Sequence, residues 1–392
     1  MLMKGSNLAT VNIYDLTLKN IFMIYYMLML AYIVFYPLAI VSQLTQFVGR
    51  FLIIFSWIVV IYILVLSISR DIFRYSMLVA ATVMPSMLFA SGEVNLSSIF
   101  QGAGSFLALV FLIESCGMIK ITPKMVKVIA YSNIVMVALF LIYSFMPFAY
   151  DIATTNIYVQ NTSLTMGYAN PNSSAMMLMH TAVINLIANR CKIYNKYITA
   201  LIQTVLIYLI IRTDSRASLL CILILTVVSL LKIKRIPEWV PYCGVAVPLM
   251  YISILPFLSS IGYKNDLVIF GKSLYTGRED IFSRELEGYN DWFSWLFGDL
   301  FVGGFANHHN AFLSIFLSCG LVGTVIYIFI LIKAILPYAK NTNSISYIAI
   351  CSILVFIIHA SAESAFLMGS IPYGIMTATI FLLMSCKKED FI

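Results

Sequence analysis

Residues 310–335 have the sequence NAFLSIFLSCGLVGTVIYIFILIKAI, in which Lys333 is the only charged side chain. An α-helix rises about 1.5 Å per residue, so roughly 20 apolar residues cross the hydrocarbon core of a bilayer. This run is long enough to do so. It therefore predicts a membrane-spanning helix, and much of the remaining chain has the same character.

The composition extends this prediction to the whole protein. Of its 392 residues, 61% are hydrophobic and 10% are charged, whereas roughly a quarter of the residues in a soluble domain are charged. An ordinary soluble enzyme is therefore excluded. We expect an all-α polytopic membrane protein with about twelve transmembrane helices, over residues 21–42, 51–69, 74–91, 97–117, 128–148, 173–189, 197–212, 217–232, 239–258, 310–335, 345–360 and 364–385.

The distribution of basic residues predicts the orientation, because cytoplasmic loops carry an excess of Lys and Arg. With a cytoplasmic N-terminus, 17 of the 24 basic residues lie on the inner side. The predicted layout has cytoplasmic termini at 1–20 and 386–392, helices one to nine within 21–258, a long outer loop at 259–309, and helices ten to twelve within 310–385. The net charge of +7 is spread between apolar runs, so it does not indicate a nucleic-acid partner.

Several functional classes lack their usual signatures. The chain has no Walker motif, no dinucleotide fingerprint and no HExxH motif, and the spacing of its seven Cys suggests neither a metal site nor a disulfide framework. We therefore expect no cofactor and no metal. A transporter is disfavoured because we find no inverted repeat and few ionisable residues within the predicted spans.

Polar residues collect at the predicted outer boundary. Residues 167–174, GYANPNSS, lie at the start of the sixth span. Asn, Ser and Pro are typical of a helix N-terminus, but one capping residue would suffice. Exposed backbone N–H groups at such an end also suit an anionic phosphate, so Asn170 and Asn172 are candidates for substrate binding.

A second cluster, residues 212–218 (RTDSRAS), places two arginines in one outer turn. Asp214 can form an ion pair with one of them. The other then suits bidentate capture of a phosphate or diphosphate. We favour Arg216 for that role because Arg212 lies closer to the preceding span and to Asp214, and we keep Arg212 as a further candidate for substrate binding.

Two more clusters lie in or next to the long outer loop. Residues 275–280, YTGRED, are explained as a solvated helix start with acids in its first turn, and a functional role for Arg278 depends on the motif that follows it. Two adjacent histidines, His308 and His309, lie at the outer mouth of the tenth span. A neutral imidazole can accept a proton from a hydroxyl near physiological pH, which makes it a natural general base.

These residues resemble the O-antigen ligase and O-antigen polymerase superfamily of bacterial polysaccharide assembly. The ligase-type signature is His, then Asn, Ser or Gln, nine residues, Gly, two residues, and Gly, Thr or Tyr. His309, Asn310, Gly320 and Gly323 satisfy it. The Asn-Pro-Asn stretch at 170–172, the Ser-Arg pair at 215–216, the Gly-Arg pair at 277–278 and the preceding outer loop also match, so that the similarity covers roughly residues 165–335.

The resemblance implies a glycosyltransferase-C-like membrane enzyme in the bacterial inner membrane with its active site facing the periplasm. It implies inverting, metal-independent transfer of a glycan from an undecaprenyl diphosphate carrier. His309 would deprotonate the acceptor hydroxyl, Arg216 and Arg278 would hold the departing diphosphate, and Asn310 would contact substrate. His308 is the alternative base, although the spacing to Gly320 favours His309.

The resemblance leaves two activities open. A polymerase transfers the growing chain to another lipid-linked repeat unit, whereas a ligase transfers the finished chain to the lipid A core. We favour the polymerase because the first half is poorly patterned and no feature suggests lipid A recognition. A lipid-linked oligosaccharide flippase is a third interpretation. The expected partners are the lipid-linked donor and acceptor, the bilayer, a chain-length regulator and a flippase.

Overall fold

The structure is a computed structural model, and it describes a large part of the chain. The described residues are 6–38, 47–52, 54, 119, 121–150, 163–168, 170–231, 236–262, 268–269, 272–273, 277–287, 289, 291–299, 310–340, 343–363 and 371–386. The predicted spans at 74–91 and 97–117, most of the span at 51–69, and both His308 and His309 lie outside them.

Apart from loops and one small hairpin, the described residues are helical, which confirms the predicted helical class. The elements are α1 (Ser6–Phe35), α2 (Pro123–Tyr143), a 3₁₀ turn (Pro147–Tyr150), α3 (Pro171–Arg190), α4 (Lys196–Arg212), α5 (Arg216–Leu230), α6 (Val240–Ser260), β1 (Val268–Ile269), β2 (Lys272–Ser273), α7 (Arg278–Glu287), α8 (Trp292–Phe297), α9 (Ala311–Lys340), α10 (Ser344–His359) and α11 (Ile371–Met384). The antiparallel hairpin pairs Val268 with Ser273 and Ile269 with Lys272.

Three described helices, α2, α6 and α9, are long and apolar enough to cross a membrane. Shorter apolar helices occur at residues 19–35 of α1 and at α5 and α10. These lengths and compositions are compatible with a helical membrane protein. The number of crossings, the orientation and the glycosyltransferase-C-like arrangement stay predictions.

Helix α1 differs from its predicted span at both ends. It begins at Ser6, inside the segment predicted as an N-terminal tail, because hydropathy marks apolar residues and not helix starts. It ends at Phe35, ahead of the predicted end at residue 42, because Pro37 has no N–H and disfavours helical backbone at the residue before it. Tyrosine hydroxyls bond carbonyls in this last turn: Tyr168 donates to Ile33 O at 2.9 Å and Tyr143 to Val34 O at 2.7 Å.

Helix α3 lies at the centre of the described bundle. Every residue from Ser174 to Ala188 is buried, as expected for a helix that is surrounded on all sides. It packs against α2, α4, α5, α10 and α11. Among its buried polar side chains, Asn185 donates to Thr199 O and Gln203 Oε1, both at 3.0 Å. Such interhelical bonds are needed where water cannot satisfy an amide.

The long loop before α9 is anchored by a small apolar cluster. Phe282 of α7 is fully buried against the Tyr251 ring and Leu255 of α6, and Leu313 and Leu317 of α9 complete the contact. Since Phe282 lies one turn after the start of α7, this cluster holds the first half of α7 against α6 and α9. The loop is therefore a packed part of the fold over its described residues.

Candidate functional site

The turn after α10, residues 360–363, connects residues from distant parts of the chain. Arg278, the first residue of α7, donates from Nη2 to Ala362 O at 2.9 Å and lies 3.5 Å from Glu363 Oε1. Asn172, at the start of α3, donates to the same carboxylate oxygen at 2.6 Å. The side chain of Glu363 is 4% exposed and that of Arg278 is 15% exposed. A carboxylate this deeply buried needs such partners.

Asn310 fastens the start of α9 to the same turn. Its Oδ1 accepts the backbone N–H groups of Phe312 at 2.9 Å and Leu313 at 3.0 Å, and its Nδ2 donates to Ser361 O at 3.3 Å. Asn310 is fully buried, so both ends of its amide serve the protein. These bonds fix the start of α9, and the contact of Asn310 with substrate stays a prediction; the preceding residue, His309, lies outside the described residues.

Arg216 is the first residue of α5 and lies near Arg278. The two guanidinium groups are close enough for the charge of Arg278 to act on Arg216. Arg216 is half-buried. With Glu363, these residues sum to one net positive charge, so the cluster favours an anion over a second cation.

A buried imidazole lies beside this cluster. His359, the last residue of α10, has its Nε2 3.0 Å from Ser218 Oγ, and Ser215 Oγ donates to Ser218 Oγ at 3.0 Å. The charges of Glu363 and Arg278 both act on His359. This chain joins the turn containing Arg216 to the end of α10.

Arg212 lies in a different environment. It donates from Nη1 to Tyr208 OH at 2.8 Å and from Nη2 to Tyr150 OH, and its guanidinium lies over both rings. The Asp214 carboxylate accepts a hydrogen bond from Ser163 Oγ at 2.5 Å. Among the described residues, Asp214 forms this bond and no ion pair with an arginine, so the arginine pairing suggested as an alternative is not found there.

Asn170 occupies the N-cap of α3. Its Oδ1 accepts the N–H of Asn172 at 2.8 Å, and Pro171 is the first helical residue. The side-chain oxygen of Asn170 therefore has a capping role. Asn172, whose amide reaches Glu363, is the member of the pair that joins the arginine cluster.

The second half of the His309 motif forms a break in α9. Gly320 has φ 66° and ψ −168°, so α9 is two helical segments joined there. The Leu317 carbonyl accepts hydrogen bonds from Asp299 N at 2.9 Å and from Tyr289 OH at 2.6 Å. Burial and the nearby Asp299 carboxylate raise the pKa of Tyr289, so its hydroxyl stays protonated and donates. The break thus holds the end of the long loop.

Sequence reasoning missed Glu363, Ser218 and His359 as members of the cluster. The signal for Glu363 was present, since it is an acid in a three-residue connection between two apolar runs. An ionisable residue next to membrane-spanning segments is costly in free energy to bury, so it usually has a partner. Nothing in the sequence linked Ser218 to His359, because the contact depends on how α5 and α10 pack.

Comparison with known proteins gives no independent assignment. No known protein family, no curated protein and no solved structure matches this chain. We therefore infer function from the motif and from the geometry of the described residues.

Proposed function

We propose that this protein is an O-antigen polymerase: a membrane-embedded glycosyltransferase that moves a glycan chain from undecaprenyl diphosphate onto a lipid-linked repeat unit. The proposed reaction takes place at the periplasmic face of the bacterial inner membrane. Both termini lie in the cytoplasm in this proposal. The chain-length regulator and flippase of such a pathway are the proposed protein partners.

One observation carries the proposal: the arginine cluster and the start of the His309 motif share one turn. Arg278 and Asn310 both bond residues of 360–363, and Arg216 interacts with Arg278. Two guanidinium groups held together can bind a diphosphate through paired, charge-assisted hydrogen bonds. A general base directly preceding Asn310 in sequence would then act next to that diphosphate.

In the proposed reaction, the acceptor hydroxyl oxygen forms a bond to the anomeric carbon of the donor sugar. His309 takes the hydroxyl proton, and the bond from the anomeric carbon to the diphosphate oxygen breaks. The electron pair of that bond leaves with the diphosphate. Arg216 and Arg278 stabilise this growing negative charge from fixed positions, which is the electrostatic contribution that usually dominates enzymatic rate enhancement.

Glu363 has a positioning role in this scheme. By binding Arg278 and Asn172 through one carboxylate oxygen, it fixes the guanidinium that faces the leaving group. Its negative charge also offsets the positive charge of Arg278. Together, Arg216, Arg278 and Glu363 therefore keep one net positive charge for the substrate.

The test is a lipopolysaccharide ladder on a gel from cells lacking the gene, complemented with the intact chain or a variant. We expect the intact chain to restore the ladder and His309→Ala to give a single-repeat band on the core. Arg216→Ala and Arg278→Ala should each reduce polymer by more than tenfold, and Arg284→Ala, which removes an exposed arginine of the loop, should not.

Two outcomes would contradict the proposal. Bare core, with polymer still attached to the carrier, would identify the ligase instead. A normal ladder from membrane-inserted His309→Ala would remove the transferase mechanism and favour the flippase interpretation. Expression of each variant is checked in isolated membranes, so that loss of protein is not mistaken for loss of activity.

A further inference from the structure

A second cationic site lies apart from the arginine cluster, at the ends of α2 and α4. It is a cavity of about 310 Å³, at the small end of the range for ligand pockets. This volume suits a compact head group and not an oligosaccharide. Among the described residues that line it, none is acidic, and its polar groups come mainly from Tyr150, Tyr208 and Arg212.

The polar groups of this cavity are arranged as donors. Arg212 gives one N–H to each of the phenol oxygens of Tyr150 and Tyr208. A guanidinium has five N–H donors, so within the described part of the chain three remain for a ligand. Each phenol accepts from Arg212 and keeps its own O–H to donate. The site therefore presents several donors and one positive charge, which is the chemistry that binds a phosphate.

The surroundings of the cavity are apolar and exposed. Phe145 is 79% exposed, Ile211 51% and Tyr208 49%. An exposed apolar surface next to an arginine and two tyrosines is typical of the interface between a bilayer and water. A ligand here can place its phosphate against Arg212 while its hydrocarbon chain follows the apolar surface, so the chemistry fits a lipid-linked phosphate.

We infer that the Arg212 cavity is a second binding site for a lipid-linked phosphate group, and that this group is the diphosphate of the acceptor. This inference rests on the proposed polymerase function, in which donor and acceptor both carry undecaprenyl diphosphate. The Arg216 and Arg278 cluster takes the donor diphosphate. The turn 213–215 joins the two sites. Next to this turn, Leu164 N donates a hydrogen bond to Arg212 O at 2.7 Å.

The experiment counts bound diphosphate lipids. The full chain, in nanodiscs of zwitterionic phosphatidylcholine, is titrated with farnesyl diphosphate in an isothermal titration calorimeter. We expect two molecules of farnesyl diphosphate to bind per chain of the intact protein and of Arg284→Gln. We expect one to bind per chain of Arg212→Gln. Tyr208→Phe, which keeps the ring and loses one hydroxyl, should weaken the second site about tenfold, as for one charge-assisted hydrogen bond.

Two results would overturn the inference. Arg212→Gln that still binds two equivalents would remove the cavity as a phosphate site. Nanodiscs that contain phosphatidylglycerol give the second result. If this lipid competes for one of the two sites with an affinity equal to that of farnesyl diphosphate, the cavity binds bulk anionic lipid, and the assignment to the acceptor fails. The binding count is separable from the polymerase proposal, because His309→Ala should bind two equivalents whether or not His309 is the base.

Discussion

Replacing Gly320 by alanine should loosen the contact between the loop helix α8 and the break in α9. A Cβ at this position would lie 2.3 Å from both the carbonyl carbon and the carbonyl oxygen of Leu296. Gly298 makes the reciprocal contact, since a Cβ there would lie 2.5 Å from Cys319 N. These are backbone atoms, so no change of rotamer relieves the overlap, and α8 would have to move.

The expected cost has two sources. The conformation at Gly320, φ 66° and ψ −168°, is essentially restricted to glycine and costs another residue about 1–3 kcal/mol. Forcing an extra carbon into a packed contact costs about 1–3 kcal/mol more. Gly262 is the matched control because its φ is 68° and a Cβ added there would meet no atom within 4 Å. Alanine at Gly262 therefore has only a conformational cost of about 1–2 kcal/mol.

Thermal unfolding of the purified full chain, followed by tryptophan fluorescence, measures the difference. Trp292 and Trp295 lie on α8, and they are two of the four Trp in the chain. We expect Gly320→Ala to unfold at a lower temperature than Gly262→Ala and to change the emission of the folded state. Equal unfolding temperatures with unchanged emission would refute the docking of α8 at this break.

Two further predictions concern α10 and the turn that follows it. Glu363→Gln removes the charged partner of Arg278, and breaking a buried pair in this way costs about 3–5 kcal/mol. The unfolding temperature should therefore fall. Adding Arg278→Gln to this variant should restore part of the lost unfolding temperature. Purely additive effects in this double-mutant cycle would contradict the pairing. Asn343→Ala removes the side chain that caps α10 through Ile345 N and Ser346 N, and should cost about 1 kcal/mol. Polymer length on the gel should stay normal, and a shortened ladder from a stably expressed Asn343→Ala protein would contradict its purely structural role.

The bounds of several described apolar helices could be predicted closely from the sequence. Helix α4, for example, covers Lys196–Arg212, against a predicted span of 197–212. An apolar run ended by polar and basic residues fixes such a helix almost completely, because burial in lipid or protein requires it. The end of α1 at Phe35 was less predictable, since Tyr36 and Pro37 lie inside an apolar run and the helix break there depends on backbone chemistry.

The two arginines of the candidate site could be predicted from the sequence, whereas its buried acid, Glu363, could not. Arg216 stood out because an arginine in a short outer turn opposes the usual charge bias, and Arg278 stood out through the Gly-Arg pair of the family resemblance. Glu363 lies 85 residues from Arg278 and 191 from Asn172 in sequence, and no spacing rule connects such distances. The bond from Asn310 to Ser361 was unpredictable for a similar reason, because it depends on the packing of α9 against the turn after α10.

The same bonds that assemble the cluster also stabilise the fold, and this affects how variants are interpreted. The turn 360–363 has carbonyl groups and a carboxylate at buried positions, where unsatisfied polar groups are costly. Arg278, Asn172 and Asn310 satisfy them. An alanine at Arg278 therefore removes both a proposed ligand of the diphosphate and a partner of a buried acid. Arg278→Lys keeps the charge and loses the planar, bidentate geometry. A loss of transfer in Arg278→Lys at near-normal stability would thus separate diphosphate binding from the structural role.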